Sequence, residues 1–402
     1  MTRLPVAAAA LLALVLAGCG AAASAPAGQV RTGTGQQAQA STPVASNAPF
    51  QLIQPPSAPL RAGERFETLK MPQAYQPVPP NGGTDEYRCF LVDPKLTAPA
   101  YLTGTQFLPQ NASVVHHAIM FYVPPDQVQA AVSVDASDPG QGWTCFGGAG
   151  VGNGSDIGAA PWVGAWAPGT KEGISPPGLG RPLAAGSRIV LQIHYNLLNV
   201  TPGTPLTDQS AVQLRLTSGS AAIKPLQTML VAAPVELPCP AGQTGTLCDR
   251  TASLLDEVHR FGEDAGATVA GLQLLCGNGS GTPHPGPTQS CSRPVGQTGV
   301  IRALAGHMHL LGRSIKVELD PGTPRAQVLL NIPVYNFDDQ NMHWLAHPVT
   351  VGPSDVLKVT CTHDAKLRQE LPSLSKLPPR YVLWGEGTSD EMCLGVVTLT
   401  SD

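Results

Sequence analysis

Apolar and polar residues alternate with a period of two along much of the chain. Arg188 to Tyr195, Ala211 to Leu216, Arg313 to Leu319 and Val356 to Cys361 all follow this pattern, and each is bounded by Gly, Pro, Asp or Ser. Successive side chains of a strand point to opposite faces, so the pattern predicts strands with one face toward a core. Helical periodicity is scarce. One helix is predicted, Ala252 to Phe261, with Asp256 and Glu257 on its polar face. It falls in a Cys/Gly/Pro-rich insertion between Pro238 and Pro294, which reads as disulfide-stapled decoration. A strand ends in Thr-Ser-Gly-Ser at 217 to 220 and a new apolar segment starts at Leu226, so the best internal boundary lies near Ser218 to Pro225. No repeat at solenoid periods is present.

Composition sharpens this reading. A chain of 402 residues is long enough for two cores. With 13% charged residues, 43 Gly and 40 Pro, it favours short strands and tight turns over long surface helices. The expected fold is all-β: two tandem antiparallel β-sandwich, jelly-roll-like domains at 62–222 and 223–402, with the insertion in the second. The net charge of −4 is small, and no basic patch interleaved with aromatics is found. That excludes nucleic acid as the expected partner.

The N-terminus changes the expected location. Arg3, an apolar run from Val6 to Leu16 and a small-residue end have the layout of a secretory signal at 1–18, too short to span a bilayer. Leu16-Ala17-Gly18-Cys19 resembles a bacterial lipobox, with Cys19 lipidated and anchoring the exported chain to the outer face of the cell membrane. Residues 19–61 then read as a disordered Ala/Ser/Gly/Gln/Pro tether. Four Asn-x-Ser/Thr matches, at Asn111, Asn153, Asn199 and Asn278, carry little weight in such a chain.

Candidate chemistry is concentrated in four segments: Val-Val-His-His-Ala-Ile-Met at 114 to 120, Leu-Gln-Ile-His-Tyr at 191 to 195, Gly-His-Met-His-Leu-Leu-Gly at 306 to 312, and Asp-Glu-Met-Cys at 390 to 393. His307 and His309, two apart, can share a strand face and clamp one ion. The thioether of Met392 is a soft ligand suited to Cu(I) and poorly suited to zinc, magnesium or calcium. His116 and His117 are adjacent, which puts them on opposite faces of a regular strand; both reach one ion only if the backbone is bulged or twisted, or the rings use different nitrogens. With His194 they offer three imidazoles, which suit copper and also zinc. The other five histidines, His259, His284, His343, His347 and His363, read as structural; His347 precedes Pro348 at a turn, and His363, close after Cys361, could approach the second site. No Gly-x-Ser-x-Gly elbow or His-Glu-x-x-His helix signals a hydrolase, and the Gly-rich run at 147 to 154 is not followed by a helix.

Apart from Cys19, eight cysteines remain: Cys89, Cys145, Cys239, Cys248, Cys276, Cys291, Cys361 and Cys393. An even number in an exported chain implies disulfides, and eight thiols allow 105 pairings.

In this order the four segments resemble the copper type II, ascorbate-dependent monooxygenases, the family of the peptide-amidating hydroxylase and dopamine beta-hydroxylase. The resemblance spans roughly Tyr87 to Val397. It implies two coppers per chain: one held by His116, His117 and His194, which stores and passes an electron, and one held by His307, His309 and Met392, where O2 binds and a substrate C–H bond is hydroxylated. Ascorbate or another one-electron donor supplies the electrons, and Gln192 lies near the first site. The resemblance also aligns Cys89 with Cys145 and Cys361 with Cys393, leaving the local pairs Cys239 with Cys248 and Cys276 with Cys291. The peptide-amidating branch carries an Arg two residues before its His-x-His and an Asn and Tyr after its Met; Ala305, Leu394 and Val396 stand at those positions. Without that guanidinium, peptide amidation is not expected, and a small apolar or aromatic substrate is. Two other readings compete: a copper-buffering lipoprotein on the same scaffold, and an adhesion or carbohydrate-binding sandwich with structural histidines.

Overall fold

A computed structural model of the chain describes residues 57–151, 162–219, 222–277 and 279–401. The expected signal, Cys19, Asn153, Asn278 and most of the expected tether lie outside the described residues.

The fold is mostly antiparallel β, and all four alternating stretches are strands: Arg188–Asn196, Ala211–Ser218, Gly312–Leu319 and Val356–His363. A nine-stranded sheet runs in the order Glu64–Lys70, Ala211–Ser218, Ala100–Leu108, Leu179–Leu183, Lys224–Ala232, Leu394–Thr400, Gly299–His307 and His343–Val351, with Gly173–Ile174 also paired to Ala100–Leu108. One short parallel link joins its halves, where Lys224 lies opposite Leu179 and Pro225 opposite Gly180. Two further sheets pack with it. Trp143–Thr144, Asp85–Val92, Arg188–Asn196, Val115–Val123 and Trp162–Trp166 form one; Thr288–Pro294, Val356–His363, Gly312–Leu319 and Gln327–Ile332 form the other. A two-stranded sheet pairs Glu236–Leu237 with Val382–Leu383.

Buried apolar residues gather into separate clusters. One runs from Leu69 to Leu216, a smaller one packs around the Cys89–Cys145 bridge, and a third runs from Met229 to Leu399. The disulfides are Cys89–Cys145, Cys239–Cys248, Cys276–Cys291 and Cys361–Cys393.

The insertion departs from its expected form. It holds two helices, Arg250–Phe261 and Glu263–Cys276. The second has glycines at 266 and 271 and apolar residues on several faces, so no helical stripe marks it in sequence. Its Val269 and Leu272 belong to the third core cluster, so the insertion is part of the core and not surface decoration. Glu257, expected on a polar face, is buried at 1% exposure and binds Arg260. His347 lies within the strand His343–Val351 and not at a turn; that strand is the last in its sheet, where Pro348 costs no ladder bond.

Candidate metal centre

His116 and His117 occupy a bulged strand. Val115 pairs with Tyr195 and His117 with His194, so the register shifts at His116 and one extra residue is accommodated. A bulge re-aims side chains, and here it brings two successive histidines to one side. The Nδ1 atoms of His116 and His117 are 3.3 Å apart, as are those of His117 and His194. Candidate ligand atoms of all three rings lie within 4.8 Å of one another.

The donor set fits a metal ion. Imidazole–metal bonds are about 2.0–2.1 Å in zinc sites, and two such bonds at a near-tetrahedral angle leave their nitrogens about 3.3 Å apart. Burial, followed by mutual repulsion, holds His116 and His117 well below the usual imidazole range, and burial also lowers His194 against the pull of Asp85. Neutral rings have a free lone pair, as ligation requires.

Asp85 and Tyr87 fix the third ring. Asp85 Oδ1 lies 2.9 Å from His194 Nε2. Burial opposes ionisation of Asp85, yet His194, the Asn196 amide and the Thr388 backbone N–H together hold it far below the usual carboxylate range. Tyr87 stacks on His194 with centroids 4.2 Å apart and donates its hydroxyl hydrogen to the Glu386 carbonyl at 2.6 Å. Gln192 is buried two residues before His194; its amide donates to the Gly148 carbonyl at 2.9 Å, and it lines the same cavity as His117.

The second cluster forms where a strand ends. Gly299–His307 finishes at His307, so His309 is not on a strand face as the spacing predicts, but in the following turn. The rings still meet, with centroids 5.2 Å apart. Gly306 is required here, since a Cβ would come within 2.6 Å of Ile315. His307 Nδ1 bonds the Gln340 side chain at 2.6 Å, which leaves Nε2 free. His309 Nδ1 faces the Asp390 carbonyl at 3.2 Å, while its Nε2 is buried with no hydrogen-bond partner. A buried ring nitrogen without a partner is costly unless something binds it, and it is a fit for a metal. Met392 is buried and lines the cavity with His307.

Glu391 holds this cluster together. Its carboxylate accepts from the backbone N–H groups of His309 at 2.9 Å, Leu311 at 2.6 Å and Met392 at 3.1 Å. His363, whose approach to this site the sequence allowed for, places Nε2 3.3 Å from Glu391 and 3.2 Å from the Met392 carbonyl. Burial opposes the charge on Glu391, but His363 and these donors hold its carboxyl below the usual range.

The two clusters are neighbours: the rings of His117 and His307 are 6.3 Å apart between centroids. Both open on one cavity of about 1270 Å³, which Ala305, Leu394 and Val396 also line.

Residues 287–398 match the family model described as copper type II ascorbate-dependent monooxygenase, C-terminal domain. The matched segment holds His307, His309, His363, Glu391 and Met392, and it stops short of His116, His117 and His194. Copper and ascorbate dependence are properties of that monooxygenase family. No curated protein matches the chain. Among solved structures, an allantoicase is 13% identical over 78% of this chain and 81% of its own, with a TM-score of 0.18. A xanthan lyase of Paenibacillus is 11% identical over 84% of this chain and 25% of its own, with a TM-score of 0.18. A fucolectin from striped bass serum is 10% identical over 80% of this chain and 85% of its own, with a TM-score of 0.15. Likeness this slight carries no argument.

Asp85, Tyr87, Gln340 and Glu391 escaped the sequence reading. Asp85 and Tyr87 alternate on a strand, an ordinary pattern, and Gln340 lies 33 positions from its partner. Glu391 does stand beside Met392, but nothing in sequence shows that its carboxylate reaches back to the His309 turn.

Proposed function

We propose that the protein is a copper-dependent monooxygenase that hydroxylates an apolar or aromatic organic substrate with O2 and ascorbate or another one-electron donor. The observation that carries this reading is the convergence of a three-imidazole cluster and a His/His/Met segment on one largely apolar cavity. His116, His117 and His194 would hold one copper, and His307, His309 and Met392 the other; bound copper would supply the one-electron and O2 chemistry that side chains lack.

The chain's own residues supply geometry and environment. Asp85 sets the tautomer of His194, and Glu391 fixes the backbone of His309 and Met392. Trp162, Trp344 and Leu230 are among the apolar groups that keep water from the substrate's reacting carbon. The proposal includes export and lipid anchoring through Cys19. Among the described residues no helix is long and apolar enough to cross a membrane.

Oxygen consumption by copper-loaded protein, with ascorbate and a panel of phenethylamines and small aromatics, tests the reading against Met392→Ala. Substrate-dependent uptake that collapses in the variant is expected. Unchanged turnover in Met392→Ala would remove the thioether's role, and copper uptake without oxygen consumption would leave a buffering protein.

A further inference from the structure

The fully buried arginines of this chain are answered by acceptors, whereas two half-buried ones that line the cavity, Arg181 and Arg293, have no carboxylate or carbonyl partner among the described residues. Arg215 binds Glu64 and Glu172, Arg260 binds Asp256, Glu257 and Asp390, Arg88 binds Asp138, and Arg368 binds carbonyls of Pro378 and Ser389. Arg181 lines the cavity, and its only polar contact among the described residues is a long one, 3.4 Å to the Thr398 hydroxyl. A guanidinium carries five N–H donors in a planar fork shaped for a carboxylate. Burial pushes the Arg181 guanidinium down to about 10.

Its position relative to the metal clusters follows from strand register. Leu394, Val396 and Thr398 alternate along one strand and all line the cavity; Leu394 lies opposite His307, and Val396 lies opposite Ala305 and Leu230. Four residues of strand separate Leu394 from Thr398, roughly 13 Å. Among the described residues, the cavity therefore has the Arg181 cation, without an anionic partner, toward one end, a His/His/Met cluster toward the other and apolar side chains between, with Lys171 and Arg293 also in its lining. Its volume of about 1270 Å³ exceeds the 300–1,000 Å³ of most small-ligand pockets.

We propose that Arg181 anchors the carboxylate of an elongated, otherwise apolar substrate, whose far end is presented to His307 and Met392. This rests on the monooxygenase reading and narrows its substrate class from apolar or aromatic molecules in general to long apolar acids. It also supplies from another strand the carboxylate partner that Ala305 cannot provide.

Calorimetric titration of metal-free full-length protein with decanoate, 1-decanol and hexanoate tests it without turnover. Decanoate should bind at least tenfold more tightly than either of the others. Arg181→Gln should erase the acid-over-alcohol preference, and Arg181→Lys, which keeps charge but loses the fork, should retain part of it. Arg293→Gln is the comparison, because Arg293 also lines the cavity. Equal binding of acid and alcohol, no binding of decanoate, a preference that survives Arg181→Gln, or one that disappears in Arg293→Gln would each overturn the assignment. Oxygen uptake separates this from the parent reading. Decanoate bound through Arg181 without ascorbate-dependent uptake would end the oxygenase reading and leave the anchor, whereas turnover of neutral aromatics with no acid preference would do the reverse.

Discussion

Asp85 accepts a hydrogen bond from His194 Nε2 at 2.9 Å, and this leaves His194 Nδ1 facing His117 Nδ1 at 3.3 Å. The ionised carboxylate can only accept, so the ring proton sits on Nε2 and the lone pair on Nδ1. The same Asp85 oxygen receives the backbone N–H of Thr388 at 3.2 Å and its hydroxyl at 2.9 Å. One carboxylate thus ties the three-imidazole cluster to the loop that leads to Met392.

Asp85→Asn should weaken copper binding at the first cluster. An amide can donate as well as accept, so it no longer enforces one tautomer. Loss of a partner that orients a ligating histidine typically costs 10–100-fold in metal affinity. Chelator competition should show one of two coppers weakened by about that factor. Affinity equal to wild type at both would mean that the ring is oriented by Tyr87 stacking alone.

Glu391→Ala should destabilise the fold as well as the second cluster. The substitution strands three buried backbone donors and removes the partner of His363. Breaking a buried charged network from one side costs about 3–5 kcal/mol. Denaturant unfolding of metal-free protein measures it, and Glu391→Gln, which keeps the shape and one good acceptor, should lose less. Identical midpoints for Glu391→Ala and wild type would show that the turn at 308–311 is held by packing.

The legible part of this protein was whatever depends on local order in the chain. Burial alternates along Gly312–Leu319 and Val356–His363, whereas Arg188–Asn196 is buried on both faces; of the routes open to adjacent histidines, a bulge, a twist or the use of different ring nitrogens, this strand takes the bulge. The rings of His307 and His309 meet around a strand end whose following turn is held by Glu391, and not along a strand face. What depends on distant contacts was not readable. The helix Glu263–Cys276 shows no amphipathic stripe because apolar residues such as Leu274 and Leu275 also stand on its exposed side, and Arg181 gains meaning only once Thr398, 217 residues away, is beside it.

The Cys361–Cys393 bridge should matter more than its local counterpart. Its cysteines are 32 positions apart, against 9 for Cys239–Cys248. Chain-entropy scaling gives roughly 3–4 kcal/mol for the longer loop and roughly 2–3 for the shorter. Paired serine substitutions compared by denaturant unfolding should keep that order. Because Cys393 follows Met392, only the first pair should also lower copper stoichiometry toward one; two coppers retained in Cys361→Ser/Cys393→Ser would show that Glu391 suffices to place the thioether.

Glu386 should impose a stability loss as pH rises. It is half-buried in the cavity wall, and burial pushes its carboxyl up to about 7, with Tyr87 opposing the shift and Asp390 adding to it. In the unfolded chain the group titrates near 4.3. Between about 4.3 and about 7 the folded protein keeps the proton while the unfolded chain releases it, so ionisation favours unfolding across that window and levels off above it. Asp85 and Glu391, whose folded carboxyls are lowered, act in the opposite sense at more acidic pH, but they are present in both wild type and Glu386→Gln and cancel in the difference. The melting temperature of metal-free Glu386→Gln relative to wild type should therefore climb from pH 4.5 to pH 7 and then hold. A difference that stays flat, or falls, over that range would mean that the Glu386 carboxyl reaches water in the folded protein.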